Sequence, residues 1–150
     1  MYQNEAYSYT PYPGCAWTAE GTLKFNNEYL APTLAKKHPE VDLWIGTFNT
    51  NRLDYVEKIL DDKTLQANIK GIGTQWERRN NLPEMRKRYP NHRFMVSESE
   101  CGNGSMDWKA GEHTFFLLAD NLGNGCDEYY NWNFILKDNG ISPWGWTQNA

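Results

Sequence analysis

The stretch Arg93-Phe94-Met95-Val96-Ser97-Glu98-Ser99-Glu100-Cys101-Gly102 decides how the chain is read. Its first half has the apolar content of a short buried strand. The run then stops on two carboxylates, Glu98 and Glu100, and breaks into Gly102-Asn103-Gly104. A strand that ends on an acid and opens into a glycine-rich loop presents that acid at one end of a sheet. Glu5 stands in a similar setting near the start of the chain, where residues 1–5 read as the tail of a strand.

Working outward from this strand, helical and extended patterns alternate. Thr18 is placed to cap a helix running from Ala19 to about Lys37, with Leu23, Leu30 and Leu34 at helical spacing and Pro32 expected to kink it. Val41 to Phe48 reads as a strand. Asn51 is then positioned to cap a helix with Tyr55, Val56, Ile59 and Leu60 on one face, interrupted at Asp61-Asp62-Lys63. Ile69 to Trp76 is the next strand. Its glycines, Gly71 and Gly73, imply close approach of another backbone or side chain. Asn81 is placed to cap a short helix with Leu82, Met85 and Tyr89 inward and Arg86-Lys87-Arg88 in solvent. After Glu98 comes a helix from about Asp107 to Leu122, with Trp108, Phe115, Leu118 and Leu122 on one face, and then a strand from Glu128 to Phe134. Helix–strand repetition of this kind implies parallel strands joined by right-handed crossovers. The strand ends fall near Glu5, Thr47, Trp76, Glu98 and Trp132, and functional groups gather at the carboxyl ends of parallel strands.

Composition narrows the possible functions. The chain has 150 residues, enough for one domain with a core, and a net charge of −4, which offers no basic footprint for nucleic acid. No apolar run is long enough to span a bilayer, and no leader pattern is visible at Met1 to Glu5. The cysteines, Cys15, Cys101 and Cys126, are odd in number and irregularly spaced, so they read as small partly buried thiols, and no metal or other cofactor is called for. Seven Trp and nine Tyr supply rings that pack in cores and also stack on sugars.

Glu5 and Glu98 lie three strand steps apart, roughly 14 Å on a flat sheet at about 4.8 Å per strand. On a closed barrel, side chains from such strands converge across the mouth. Two carboxyls about 5 Å apart make a retaining glycosidase: one protonates the leaving oxygen and the other attacks the anomeric carbon. Each acid taken singly reads more often as a solvated surface group than as a catalytic one.

The ordered motifs resemble glycoside hydrolase family 30, the family of lysosomal glucosylceramidase. Gln3-Asn4-Glu5 is similar to the segment that carries the family's acid/base, and Phe94 to Gly102 to the segment that carries its nucleophile. Gly71 to Trp76 resembles its sixth strand and Tyr130-Asn131-Trp132-Asn133 its eighth. Leu30-Ala31-Pro32-Thr33-Leu34 looks like a family helix that keeps its proline, and Trp144 to Asn149 like a loop that places an Asn near the glycone. The resemblance implies a partial (β/α)8 barrel, from the end of strand 4 through strand 8, forming one truncated catalytic domain over residues 1–150. It makes Glu5 the acid/base and Glu98 the nucleophile. Glu100 is passed over because the motif puts the nucleophile in the first Glu, directly after Ser/Thr, and because it lies beyond the expected strand end. Asn4 would meet the sugar 2-hydroxyl, and Gln75, Trp76, Trp132 and Asn149 would shape the glycone subsite.

The implied substrate is a carbohydrate or glycolipid and the implied location extracytoplasmic; the oligomeric state is left open. Glucosylceramide hydrolysis and β-1,6-glucan cleavage both fall within the family, and a non-catalytic carbohydrate-binding fragment is the rival from another class. Ala6 stands where the family usually has Pro, and three front strands and a flanking β-domain have no counterpart, so Met1 reads as a position within a longer frame. An arc of four strands leaves an uncovered interior, so residues 1–150 alone are expected to be poorly stable and inactive.

Overall fold

The computed structural model describes residues 17–50, 52–99, 105 and 107–131. Its centre is a four-stranded sheet in the order β1-β2-β3-β4, every pairing parallel: β1 (Trp44–Phe48), β2 (Gly71–Gln75), β3 (Arg93–Glu98) and β4 (Glu128–Tyr129). Consecutive strands are spatial neighbours, and helices fill each crossover, as the alternation predicts.

The first helical segment consists of α1 (Ala19–Lys24), a π-helical stretch (Phe25–Leu30) and α2 (Ala31–Lys37). Thr18 caps it, its side chain accepting from Gly21 N at 2.9 Å. Proline has no N–H, and its ring crowds the carbonyl four residues back. The chain answers Pro32 with the wider π register, in which Ala31 N bonds to Asn26 O. The helix therefore continues through the expected kink. α3 (Leu53–Leu60) buries Tyr55, Val56, Ile59 and Leu60, and α4 (Lys63–Asn68) restarts on Asp62, whose carboxylate accepts from Leu65 N at 2.7 Å. The N-cap of α3 is Arg52, without a side-chain cap bond, and Asn51 lies outside the described residues. α5 (Leu82–Arg88) buries Leu82 and Met85; Asn81 precedes it but gives no side-chain cap. The basic stretch on α5 is partly ion-paired: Arg86 with Asp127, and Arg88 with Glu57 and Asp61. α6 (Trp108–Gly123) is capped by Asp107.

One core holds these layers together. It joins Ile45, Phe48, Ile72, Phe94 and Val96 of the sheet to residues of α3, α4 and α5, with Ala19 and Cys126 at its margins. The opposite face of the sheet carries Trp44, Gly46, Gly71, Gly73, Gln75, Arg93 and Met95, by strand alternation and the pairing register. A parallel sheet with strands in sequential order and helices packed against one face is a mixed α/β arrangement.

The glycines behave as expected. A Cβ at Gly71 would lie 2.4 Å from the Trp44 ring and 2.8 Å from Arg93 O, and one at Gly73 would lie 3.0 Å from Thr47 N. Besides the missing Asn81 cap, three expectations are revised. On α6 the face formed by Trp108, Phe115, Leu118 and Leu122 is exposed (80% at Trp108, 71% at Phe115), and Leu117 and Asn121 are buried instead. The second strand stops at Gln75, because Trp76 adopts φ +44° and opens a 3-10 turn, Trp76–Asn81. β4 ends at Tyr129, with residues 132–134 outside the described part.

Candidate functional site

The carboxyl ends of β2 and β3 meet at Gln75 and Glu98. Strict alternation from Phe94 and Val96 would turn Glu98 into the helix-side core, where a carboxylate has no place. The register shows how this is avoided. Thr74 pairs with Val96, but Gln75 pairs with Glu98, so β3 carries one extra residue, Ser97. A bulge of this kind reverses the facing of the residues beyond it. Paired residues share a face, so Glu98 sits with Gln75, Gly73 and Met95, away from the helices. Ser97 Oγ donates to Thr74 O at 3.1 Å and Thr74 Oγ1 donates to Met95 O at 3.3 Å, giving the interrupted ladder side-chain bonds. A second bulge, at Gly46-Thr47 with φ values of +96° and +73°, returns Phe48 to the core at the end of β1. The irregular backbone thus gathers where the strands end.

Glu98 is half-buried, and burial pushes its carboxyl above the ordinary glutamate range. Opposing this, the Trp76 indole donates from Nε1 to Glu98 Oε1 at 2.6 Å, a bond that favours the ionised carboxylate. Oε2 meets no donor among the described residues. The positive φ at Trp76 is a conformation that costs a non-glycine residue about 1–3 kcal/mol and recurs at functional sites. Gln75 is 2% exposed, and its Nε2 is buried without an acceptor among the described residues. An orphaned buried donor is uncommon and costs about 1–3 kcal/mol. At the amino end, the same face is closed by Arg93, whose guanidinium lies 5.5 Å from the centre of the Trp44 ring and pairs with Glu128 at 2.7 Å.

The structure therefore brings Gln75, Trp76 and Glu98 together. Glu5, Asn4, Trp132 and Asn149 lie outside the described residues, as does Glu100. β3 ends at Glu98, the strand end that the sequence pattern predicts. Two features escaped the sequence: the Ser97 bulge and the bond from Trp76 to Glu98. Neither leaves a local signal, because each depends on a register between segments about twenty residues apart. Among the described residues no three His, Cys, Asp or Glu side chains are grouped to hold a metal ion, and no helix is long and apolar enough to cross a membrane.

Comparison with known proteins agrees with this architecture. No family model matches the chain. A Caenorhabditis elegans protein named "Putative glucosylceramidase 1" is 27% identical over 142 residues, covering 85% of this chain and 27% of its own length. Among solved structures, SrfJ from Salmonella typhimurium superposes with a TM-score of 0.73 at 22% identity, covering 89% of this chain and 32% of its own. An endo-β-1,6-glucanase gives 0.73 at 17% identity, over 91% and 32%. A GH128 exo-β-1,3-glucanase from Aureobasidium namibiae gives 0.57 at 17% identity, over 88% and 56%. This chain thus spans about a quarter of its curated relative. Its mixed α/β fold, with a parallel four-stranded sheet, is one shared with glycoside hydrolases.

Proposed function

We propose that this chain carries the nucleophile side of a retaining β-glycosidase resembling family 30. The observation that carries the reading is Glu98 at the carboxyl end of β3, turned off the core by the Ser97 bulge and held through Oε1 by Trp76. In this reading β1 to β4 are consecutive strands of a (β/α)8 barrel, and Glu5 faces Glu98 across its mouth as the general acid/base. Glu98 Oε2 attacks the anomeric carbon while the bond to the aglycone oxygen breaks and that oxygen takes the proton of Glu5. Water then adds to the same carbon, Glu5 takes up its proton, and Glu98 leaves as a carboxylate. Asn4 holds the 2-hydroxyl, and Gln75, Trp76 through its ring face, Trp132 and Asn149 shape the glycone subsite; a sugar hydroxyl supplies the acceptor that Gln75 Nε2 lacks.

The preferred substrate class is glucosylceramide, supported by the name of the Caenorhabditis elegans relative. A β-1,6-glucan is the second reading, supported by the fold shared with an endo-β-1,6-glucanase. Hydrolysis of an aryl β-glucoside, glucosylceramide and β-1,6-glucan by the protein expressed from its own gene separates these. For the role of Glu98, Glu98→Ala should lower aryl glucoside turnover by about 1,000-fold or more, the scale of removing a covalent nucleophile. Added azide should rescue it and give the α-glucosyl azide. A β-glucosyl azide would make Glu98 the acid/base instead, and unchanged turnover would end the reading.

A further inference from the structure

We propose that Trp76 is the positioning residue of Glu98, holding one carboxylate oxygen so that the other faces the reaction, rather than a hydrogen-bonding contact to the sugar. The proposal rests on the glycosidase reading for its consequence in turnover, but not for the contact itself.

Three independent features converge. First, an indole has a single N–H donor, and that of Trp76 is engaged at 2.6 Å by Glu98 Oε1, so it has none for a sugar hydroxyl. Second, the backbone is arranged for the contact. β2 breaks directly after Gln75, and Trp76 takes φ +44°, a left-handed conformation that bulky side chains rarely adopt. Third, the partner is brought to the same place by a separate irregularity, the extra residue in β3 that turns Glu98 to the face of Gln75. Two departures from regular structure, one just past the end of β2 and one within β3, thus end in one charge-assisted bond.

The chemistry is that of a carboxylate nucleophile. A free carboxylate rotates and presents either oxygen; one bonded through Oε1 presents Oε2 in a narrowed range of directions, the pre-orientation on which attack at carbon depends. The bond also stabilises the ionised form that attack requires, against the burial that disfavours it.

The contact is tested without reference to activity by NMR of the wild-type protein with 15N-labelled indoles, assigned by through-bond correlation. The Trp76 Nε1–H resonance should shift with pH at the same midpoint as the Glu98 side-chain carboxyl carbon, and Glu98→Gln should abolish that titration. An indole resonance blind to pH and to Glu98→Gln overturns the proposal. In turnover of an aryl β-glucoside, Trp76→Phe keeps an aromatic face and removes the donor. It should lower kcat about 10- to 100-fold, leave KM within about threefold, and move the acidic limb of the kcat/KM profile to higher pH. A raised KM with unchanged kcat and an unmoved limb would make Trp76 a sugar platform and overturn the positioning role. Wild-type protein inactive on every β-glucoside would end the glycosidase reading, while the indole titration still decides whether Trp76 holds Glu98.

Discussion

At the scale of single residues, Glu98 carries a cost that can be measured. Burial raises its carboxyl pKa above that of the unfolded chain, so the folded state holds the proton more tightly. The stability this proton contributes is present at acid pH, below the unfolded value, and is lost as pH rises through the folded value. Glu98→Gln should therefore melt at a higher temperature than wild type at pH 7, with the two converging below about pH 4, where an ordinary glutamate is protonated. Thermal melts at both pH values check this. A higher melting temperature for wild type at pH 7 would mean that the Trp76 bond outweighs burial. The same variant loses the nucleophile, so a gain in stability should accompany a loss of turnover.

At the scale of elements, the strand ends are irregular for steric reasons. Gly46 has φ +96°, and a Cβ there would lie 2.6 Å from Gly73 O and from the Phe48 ring. Gly46→Ala should cost about 2–4 kcal/mol, combining overpacking with backbone strain. Gly111 lies inside α6 with open space where its Cβ would be. Gly111→Ala should stabilise by about 0.5–1 kcal/mol, since glycine loses more freedom than alanine in a helix. Urea unfolding midpoints of the two variants should move in opposite directions. The site elements were legible to different depths. Thr18 as a cap, the buried face of α3 and the close approach at Gly71 and Gly73 all come from local spacing and residue size. Burial on α6 was not legible: its apolar stripe at Trp108, Phe115, Leu118 and Leu122 faces outward, and the helix packs through Leu117 and Asn121. Periodicity locates a stripe but not what lies against it.

At the scale of the whole molecule, most apolar burial among the described residues lies on one side of the sheet. Helices and sheet share the core at Ile45, Ile72, Phe94 and Val96, while the other face carries Gly46, Gly71, Gly73, Gln75, Arg93 and Glu98 with only Trp44 and Met95 as large apolar side chains. Ile72 is fully buried on a strand flanked by β1 and β3. Ile72→Ala should cost about 2–5 kcal/mol, a large part of a domain's usual 5–15. Phe115→Ala, on the exposed stripe of α6, should change stability by no more than about 0.5 kcal/mol. Denaturant unfolding of both variants separates the two surfaces, and a large loss at Phe115 would mean that α6 is covered in solution.

The sequence alone determined the alternation of helix and strand, the parallel sheet that alternation requires, most of the apolar positions facing the core, and the acid at which β3 ends. All of these rest on periods and residue types within a dozen neighbours. Only the tertiary structure decided which way Glu98 faces and what holds it. The bulge at Ser97 exists because β3 pairs out of step with β2 at Thr74, and the bond to Glu98 exists because Trp76 leaves the strand with positive φ. Both are set by contacts between segments distant in the chain, and local pattern carries no record of register.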